Sequence, residues 1–102
     1  MAGQMYVIVW KFEVPLESDE EFRSAYGRDG EWAKLFARHD GFVGTELIAI
    51  DEPGQYLTID RWESAEAFDA FMEQNRVEYE QLDERFEALT EAEDLVGSGE
   101  RR

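Results

Sequence analysis

The chain has 102 residues, a net charge of −15 and no cysteine. A chain of this length builds one domain around one core, and its hydrophobic fraction of 43% is typical of a globular protein. The absence of cysteine excludes disulfides, thiolate metal sites and thiol nucleophiles. The negative charge would repel nucleic acid and anionic membranes, which are therefore excluded as partners.

No apolar run approaches the roughly 20 residues that cross a bilayer, and residues 1–4 lack the basic-then-apolar layout of a signal peptide. We therefore expect a cytoplasmic protein. Its single domain is predicted to span residues 1–97, and the polar, glycine-containing residues 98–102 are predicted to form a flexible tail.

The first predicted strand runs from Met5 to Val14 and is apolar on both faces at its start, which is typical of a covered strand. Ser18 and Glu21 have the spacing of a capping box. A helical stripe follows from Phe22 to His39, interrupted by residues 27–30 (GRDG), so we expect a kinked helix or two short ones. Gly41 is predicted to end it as a left-handed C-cap.

Residues 42–51 and 55–62 are the second and third predicted strands, and the intervening Glu-Pro-Gly favours a β-hairpin turn. Ser64 is the predicted cap of the longest helical pattern, from Phe68 to Leu89, which is one long helix or two with a bend. Residues 93–96 form a short last predicted strand.

The order strand, helix, strand, strand, helix, strand predicts an α+β fold of the ferredoxin-like βαββαβ type, with both helices on one face of an antiparallel sheet. The other face also carries apolar residues, and no predicted element remains to cover it. A second copy of the chain is the simplest cover, so we expect a homodimer that pairs through its sheet faces.

Three segments resemble the antibiotic biosynthesis monooxygenase-like family of dimeric α+β barrels. They are residues 6–12 (YVIVWKF), 41–47 (GFVGTEL) and 56–64 (YLTIDRWES), the last followed by Ala67 and Phe68. The resemblance covers residues 5–97, and its motifs are more specific for the fold than for an activity.

The resemblance implies an oxygenase that acts on an aromatic phenol or quinol without metal, flavin or any other cofactor. Such chemistry is physically reasonable, because an electron-rich phenolate can pass an electron to O₂ when the protein deprotonates it and excludes water. The alternative is a non-catalytic module that binds a small hydrophobic ligand in the same pocket.

Haem binding or degradation is disfavoured. The resemblance implies that haem-degrading members of the family have an asparagine on the first strand and a histidine within the second helix. The first strand has no asparagine, and Met72 and Glu73 stand where the histidine is expected.

Four polar or aromatic residues are candidates for a catalytic role: His39, Asp60, Trp62 and Asn75. Asp60 and Trp62 share one strand face. Asp60 could deprotonate a bound phenol, or it could form a surface ion pair. Trp62 could stack on an aromatic substrate, or it could be a core residue. His39 is either a general base or a solvated residue at a helix C-terminus. Asn75 lies on an apolar stripe, where its amide must bond a backbone group, water or ligand.

A further group of large side chains could line a ligand cavity, although aromatic residues at such spacing are mostly core. The acidic runs lack histidine or cysteine at metal-ligand spacing, so no metal site is expected. The candidate substrate-binding residues are Trp10, Phe12, Trp32, Phe36, Phe68, Met72 and Tyr79.

Overall fold

The computed structural model describes residues 5–101. It contains a four-stranded sheet and three α-helices, and short 3₁₀ turns precede the first helix and follow the last. The elements in chain order are β1 (Tyr6–Glu13), α1 (Asp19–Tyr26), α2 (Glu31–Phe36), β2 (Phe42–Ala49), β3 (Gln55–Trp62), α3 (Ala65–Phe86) and β4 (Ala92–Glu100).

The sheet is antiparallel throughout, with strand order β2-β3-β1-β4. This is the ferredoxin-like arrangement, and the predicted fold class is confirmed. All three helices cover one face, here called the inner face. It receives the even-numbered residues of β1 and β3, because neighbours on a strand point to opposite sides. The odd-numbered residues form the outer face.

The hairpin between β2 and β3 agrees with its predicted turn, since Gly54 has a φ of +88°. The interruption after Tyr26 produces two separate helices. Ser18 occupies the predicted N-cap position of α1, but the predicted capping box is wrong, because the Ser18 side chain makes no cap hydrogen bond. The predicted left-handed cap at Gly41 is also wrong. Gly41 does not have positive φ; a Cβ there would lie 2.5 Å from the Ala67 Cβ, so close packing against α3 requires glycine.

The last strand is longer than predicted. β4 continues beyond Val96 to Glu100. At its end, Gly99 pairs with Val7 of β1 and Glu100 pairs with Tyr6. Residues 98–100, expected in a flexible tail, therefore belong to the sheet. The assignment of residues 1–97 to a single domain stays a prediction, and residue 102 of the expected tail lies outside the described residues.

The long helix α3 begins at its predicted N-cap residue, Ser64. The Ala67 backbone N–H donates to the Ser64 hydroxyl at 3.0 Å. The helix bends at Asn75, whose backbone is non-helical (φ −126°, ψ 23°). The bend divides α3 into two halves, and the second half carries Tyr79 and Asp83.

Aromatic rings dominate the core between the inner face and the helices. Trp62 is fully buried and touches rings from four neighbours at centroid distances of 5.1 to 5.6 Å. These neighbours are Phe36, Phe42, Phe68 and Phe71. This cluster holds β3 against α2 and α3, and thereby fixes the position of the strand residues beside it. Within residues 5–101, no helix is long and apolar enough to cross a membrane.

We predict that Ser64→Ala lowers the free energy of unfolding by about 1 kcal/mol, because an orphan N–H at the start of α3 loses its acceptor. Urea denaturation measures the change. Ser18→Ala is the matched control and should change stability by less than about 0.5 kcal/mol, because Ser18 makes no cap bond. Equal losses in the two variants would contradict the assignment of the cap.

Candidate functional site

A cavity lies between the inner face and the helices, beside the Trp62 cluster. Its volume is about 40 Å³, and a second cavity of about 160 Å³ adjoins it. The two share Trp10, Phe36, Asp60 and Tyr79 as walls. The first cavity is also lined by Phe12, Tyr26, Trp32, Thr45, Thr58, Asp83 and Glu93.

Asp60 is the charged group at the centre of this site. It follows Thr58 on the inner face of β3 and is only 8% exposed. In the register it lies opposite Ile8 of β1 and Thr45 of β2. The Thr45 hydroxyl donates a hydrogen bond of 2.5 Å to the Asp60 Oδ1 atom. Within residues 5–101, no ion pair involves this carboxylate.

Burial raises the pKa of Asp60 to about 6, and the hydrogen bond from Thr45 opposes this by favouring the charged form. An isolated carboxylate in an aromatic cavity is costly to ionise, because the low dielectric disfavours charge. A group with a pKa near the working pH is also well suited to take a proton and release it again. Asp60 is therefore chemically fit to be a general base.

Hydrogen-bond donors line the same cavity. Burial raises the pKa values of Tyr26 and Tyr79 to about 12, so both are protonated phenols at neutral pH. For Tyr79, the negative charges of Asp83 and Asp60 add to the effect. The Trp32 indole N–H is buried and makes no hydrogen bond of regular geometry within the described residues, although it lies close enough to the Tyr26 hydroxyl to lower the pKa of Tyr26 in part. An oxygen atom of a bound ligand could accept from it, which would remove a cost of about 1–3 kcal/mol.

Asp83 and Glu93 line the far part of the first cavity. Both are exposed to solvent. Partial burial raises the pKa of Glu93, and the negative charge of Asp83 raises it further. No group of three histidine, aspartate or glutamate side chains among residues 5–101 could hold a metal ion.

Six of the seven predicted substrate-binding residues border one of the two cavities. Trp10, Phe12, Trp32, Phe36 and Tyr79 line the first cavity, and Phe68 lines the second. Met72 lines neither; it packs against the core from α3.

Among the four predicted catalytic residues, only Asp60 lines a cavity. The fully buried Trp62 lies in the core cluster. The Nδ1 atom of His39 accepts from the Gly41 backbone N–H at 3.0 Å, which ties it to the turn before β2. The Asn75 side chain donates to the Phe71 carbonyl at 3.1 Å, across the bend of α3. The structure thus gives these three residues packing and backbone contacts outside the cavities.

Sequence patterns could have identified several residues that were missed. Strand alternation puts Thr58 on the same face as Asp60, and the hairpin register adds Thr45. Asp83 follows Tyr79 by one helical turn. Glu93 could not be placed, since its position opposite Phe12 depends on the β1–β4 register and on the bulge beside Trp10.

Comparison with known proteins identifies relatives by sequence pattern and by fold. The family model described as antibiotic biosynthesis monooxygenase matches residues 5–78. No curated protein matches the sequence. Among solved structures, SnoaB from Streptomyces nogalater, described as a cofactor-independent oxygenase, is 24% identical with a TM-score of 0.72; the match covers 98% of this chain and 95% of SnoaB.

Two other structures have the same fold at lower identity. Protein SO0527 from Shewanella oneidensis is 20% identical with a TM-score of 0.69, over 96% of this chain and 91% of that one. MupZ from Pseudomonas fluorescens is 11% identical with a TM-score of 0.68, over 94% of this chain and 69% of that one.

We predict that Asp60→Asn makes the protein more stable at pH 8, by up to about 3 kcal/mol. The folded-state pKa of about 6 lies above the ordinary 3.8, and one pKa unit corresponds to about 1.4 kcal/mol. The folded state binds the proton more tightly than the unfolded chain does, so ionisation of Asp60 costs stability as the pH rises between these values. The gain should shrink as the pH falls towards 4.

Urea denaturation of both proteins across this pH range measures the difference. Asp69→Asn, which neutralises an exposed carboxylate on α3, is the control and should show no such pH-dependent gain. A stability difference between Asp60→Asn and the parent that does not vary with pH would contradict the raised pKa of Asp60.

Proposed function

The chain belongs to the antibiotic biosynthesis monooxygenase family, and we propose that it is a cofactor-independent monooxygenase that oxidises a phenol or quinol ring in the cavity between the inner face and the helices. The observation that carries this proposal is Asp60, an unpaired carboxylate buried among aromatic walls. The likeness to SnoaB, itself described as a cofactor-independent oxygenase, supports the reaction class. The cytoplasmic location expected from the sequence stays a prediction.

In the proposed reaction, Asp60 takes the proton from the hydroxyl group of the ring. The resulting phenolate is electron-rich and transfers an electron to O₂, after which carbon and oxygen combine. One oxygen atom of O₂ forms a new C=O bond at an unsubstituted ring carbon para to the hydroxyl group, and this carbon loses its single hydrogen. The other oxygen leaves as water with that hydrogen and the hydroxyl proton that Asp60 took. The ring is thus oxidised by four electrons to a quinone, and O₂ is the acceptor of all four.

The other lining residues would position the ring and exclude water. The indole N–H of Trp32 and the protonated hydroxyl of Tyr79 are donors suited to the developing negative charge on oxygen. The cavities are small compared with ligand pockets of roughly 300 Å³ or more. A ring must therefore displace side chains on entry, and the half-buried Trp10 and Tyr79, which border both cavities, are the residues we expect to move.

Binding without catalysis is the alternative function. It would use the same walls to hold a small hydrophobic ligand, with no proton transfer to Asp60. The location of His39 and Asn75 outside the cavities favours this alternative, because it leaves Asp60 as the one predicted catalytic residue at the cavity. A measurement of turnover distinguishes the oxygenase from the non-catalytic binding module.

We predict oxygen consumption with a panel of anthrone- and quinol-type substrates above the uncatalysed rate. Asp60→Asn should lower kcat by about 100-fold or more, because general base catalysis contributes at least that much. An oxygen electrode measures the rates. Asp69→Asn should retain the parent rate. No turnover by the parent across the panel would favour the binding module, and full activity in Asp60→Asn would remove Asp60 from the mechanism.

The outer face of the sheet supports the predicted homodimer as a second proposal. It presents apolar side chains that no element within residues 5–101 covers. Val96 is 61% exposed, and the others are partly exposed. They are Val7, Val9, Ile48, Leu57 and Ile59. This apolar patch lies beside the Arg61–Glu46 ion pair of the same face, and exposed apolar patches are typical of interfaces. Pairing through two sheet faces would cover it symmetrically.

Ile59→Glu should convert the dimer into a monomer, because it places a charge near the centre of the outer face. Sedimentation equilibrium measures the mass of the parent and the variant. Val77→Glu is the matched control: Val77 is 64% exposed on α3, so this variant should remain dimeric. A monomeric parent, or a dimeric Ile59→Glu, would contradict pairing through this face.

A further inference from the structure

The first cavity has an unusual combination of walls. Six of its lining residues are aromatic and three are carboxylates: Asp60, Asp83 and Glu93. No lysine, arginine or histidine of the described chain lines either cavity. The site therefore offers negative charge and ring faces, with no basic side chain to balance them.

The carboxylates are not neutralised elsewhere either. The five ion pairs of residues 5–101 involve other acidic residues. Arg85, which lies near Asp83 in sequence, approaches Glu31 at 3.8 Å instead. The raised pKa of Glu93, caused first by burial and then by Asp83, indicates that these two carboxylates repel each other. A positive charge between them would relieve this repulsion.

The aromatic walls suit a positive charge as well. Trp32 packs against three other aromatic residues that line the cavity. Its ring centroid lies 5.0 Å from that of Tyr79, 5.7 Å from that of Phe36 and 6.0 Å from that of Tyr26. Ring faces attract ammonium groups, and cages of several rings are a known way to bind them. Carboxylates and ring faces together therefore select a cation over an anion.

The carboxylates occupy two ends of the site. Asp60 lies level with Ile8 on β1, whereas Glu93 lies level with Phe12, four residues further along the same strand. At a rise of about 3.3 Å per residue, the two levels are roughly 13 Å apart. A ligand with two distinct ends could thus place one beside Asp60 and the other beside Glu93 and Asp83.

We propose that the cavity binds a phenol that carries a protonated amine on a short chain, with the hydroxyl at Asp60 and the ammonium between Asp83 and Glu93. This inference names the substrate class of the proposed oxygenase and rests on that function for the phenolic end. The ammonium end rests on the walls alone. These carboxylates form no group that could hold a metal ion, and an acidic substrate would be repelled.

Three phenols that differ in one group test the proposal: tyramine carries an ethylammonium chain, 4-ethylphenol a neutral chain and 4-hydroxyphenylacetate a carboxylate. Isothermal titration calorimetry with the full chain at pH 7.5 measures their affinities. We expect tyramine to bind at least about tenfold more tightly than 4-ethylphenol, and 4-hydroxyphenylacetate to bind more weakly than both.

The double variant Asp83→Asn/Glu93→Gln should weaken tyramine binding by about tenfold and so remove its preference over 4-ethylphenol. Both side chains are exposed to solvent, so the fold should tolerate the changes. Glu84→Gln/Asp94→Asn is the matched control. It removes two charges at adjacent positions that do not line the cavity, so it should retain the preference.

Equal affinities for tyramine and 4-ethylphenol would overturn the proposal, as would failure of all three phenols to bind. A preference that survives in the Asp83→Asn/Glu93→Gln variant would also overturn it, because the overall charge of −15 would then be the cause. Binding is measured without turnover, so the two proposals fail separately. Tyramine preference without oxygen consumption contradicts the oxygenase alone; turnover of neutral quinols without that preference contradicts this inference alone.

Discussion

The burial of Asp60 on the helix-covered face of β3 is the constraint on which the rest of this site depends. The strand alternates, so the same geometry that sends Trp62 into the core sends Asp60 into the space beside it. One hydrogen bond from Thr45 compensates only part of the desolvation. A carboxylate buried in this way destabilises the fold and is also suited to proton transfer. Both properties follow from its desolvation, which raises its pKa.

The stability lost at Asp60 is offset by the packing next to it. Trp62 places its ring within 5.1 to 5.6 Å of four phenylalanine rings from β2, α2 and α3. Aromatic pairs of this kind contribute about 0.5–1.5 kcal/mol each beyond the burial of area. The cluster fixes β3 two residues beyond Asp60. The role of Trp62 in this structure is therefore to hold the strand that carries Asp60 in position, and the cavity wall is made by Trp10 and Trp32 instead.

The sequence predicted those features that depend on local pattern. Alternation and turn chemistry located β3 and its hairpin, and periodicity located α3 with Ser64 as its cap. Features that depend on contacts between distant segments were not predictable in the same way. Gly41 was assigned to a left-handed cap, whereas its true constraint is the approach of Ala67. The length of β4 follows from pairing with β1, and its glycine-rich end resembles a tail when considered alone.

The same limit explains which site residues were predicted. Large aromatic residues on the inner face of the sheet, or on the helices that cover it, border the space between the two layers, so Trp10 and Phe36 were predicted from periodicity. The roles of polar residues depend on which partner comes within a few ångströms. His39 and Asn75 have side chains of types that often act in catalysis. In this structure, however, His39 accepts a hydrogen bond from a backbone N–H and Asn75 donates one to a backbone carbonyl. Glu93 has no distinguishing local pattern, and only the register of an edge strand brings it to the cavity. In a domain this small, the chemistry of the site is thus decided mainly by strand pairing, which assigns each polar side chain a neighbour.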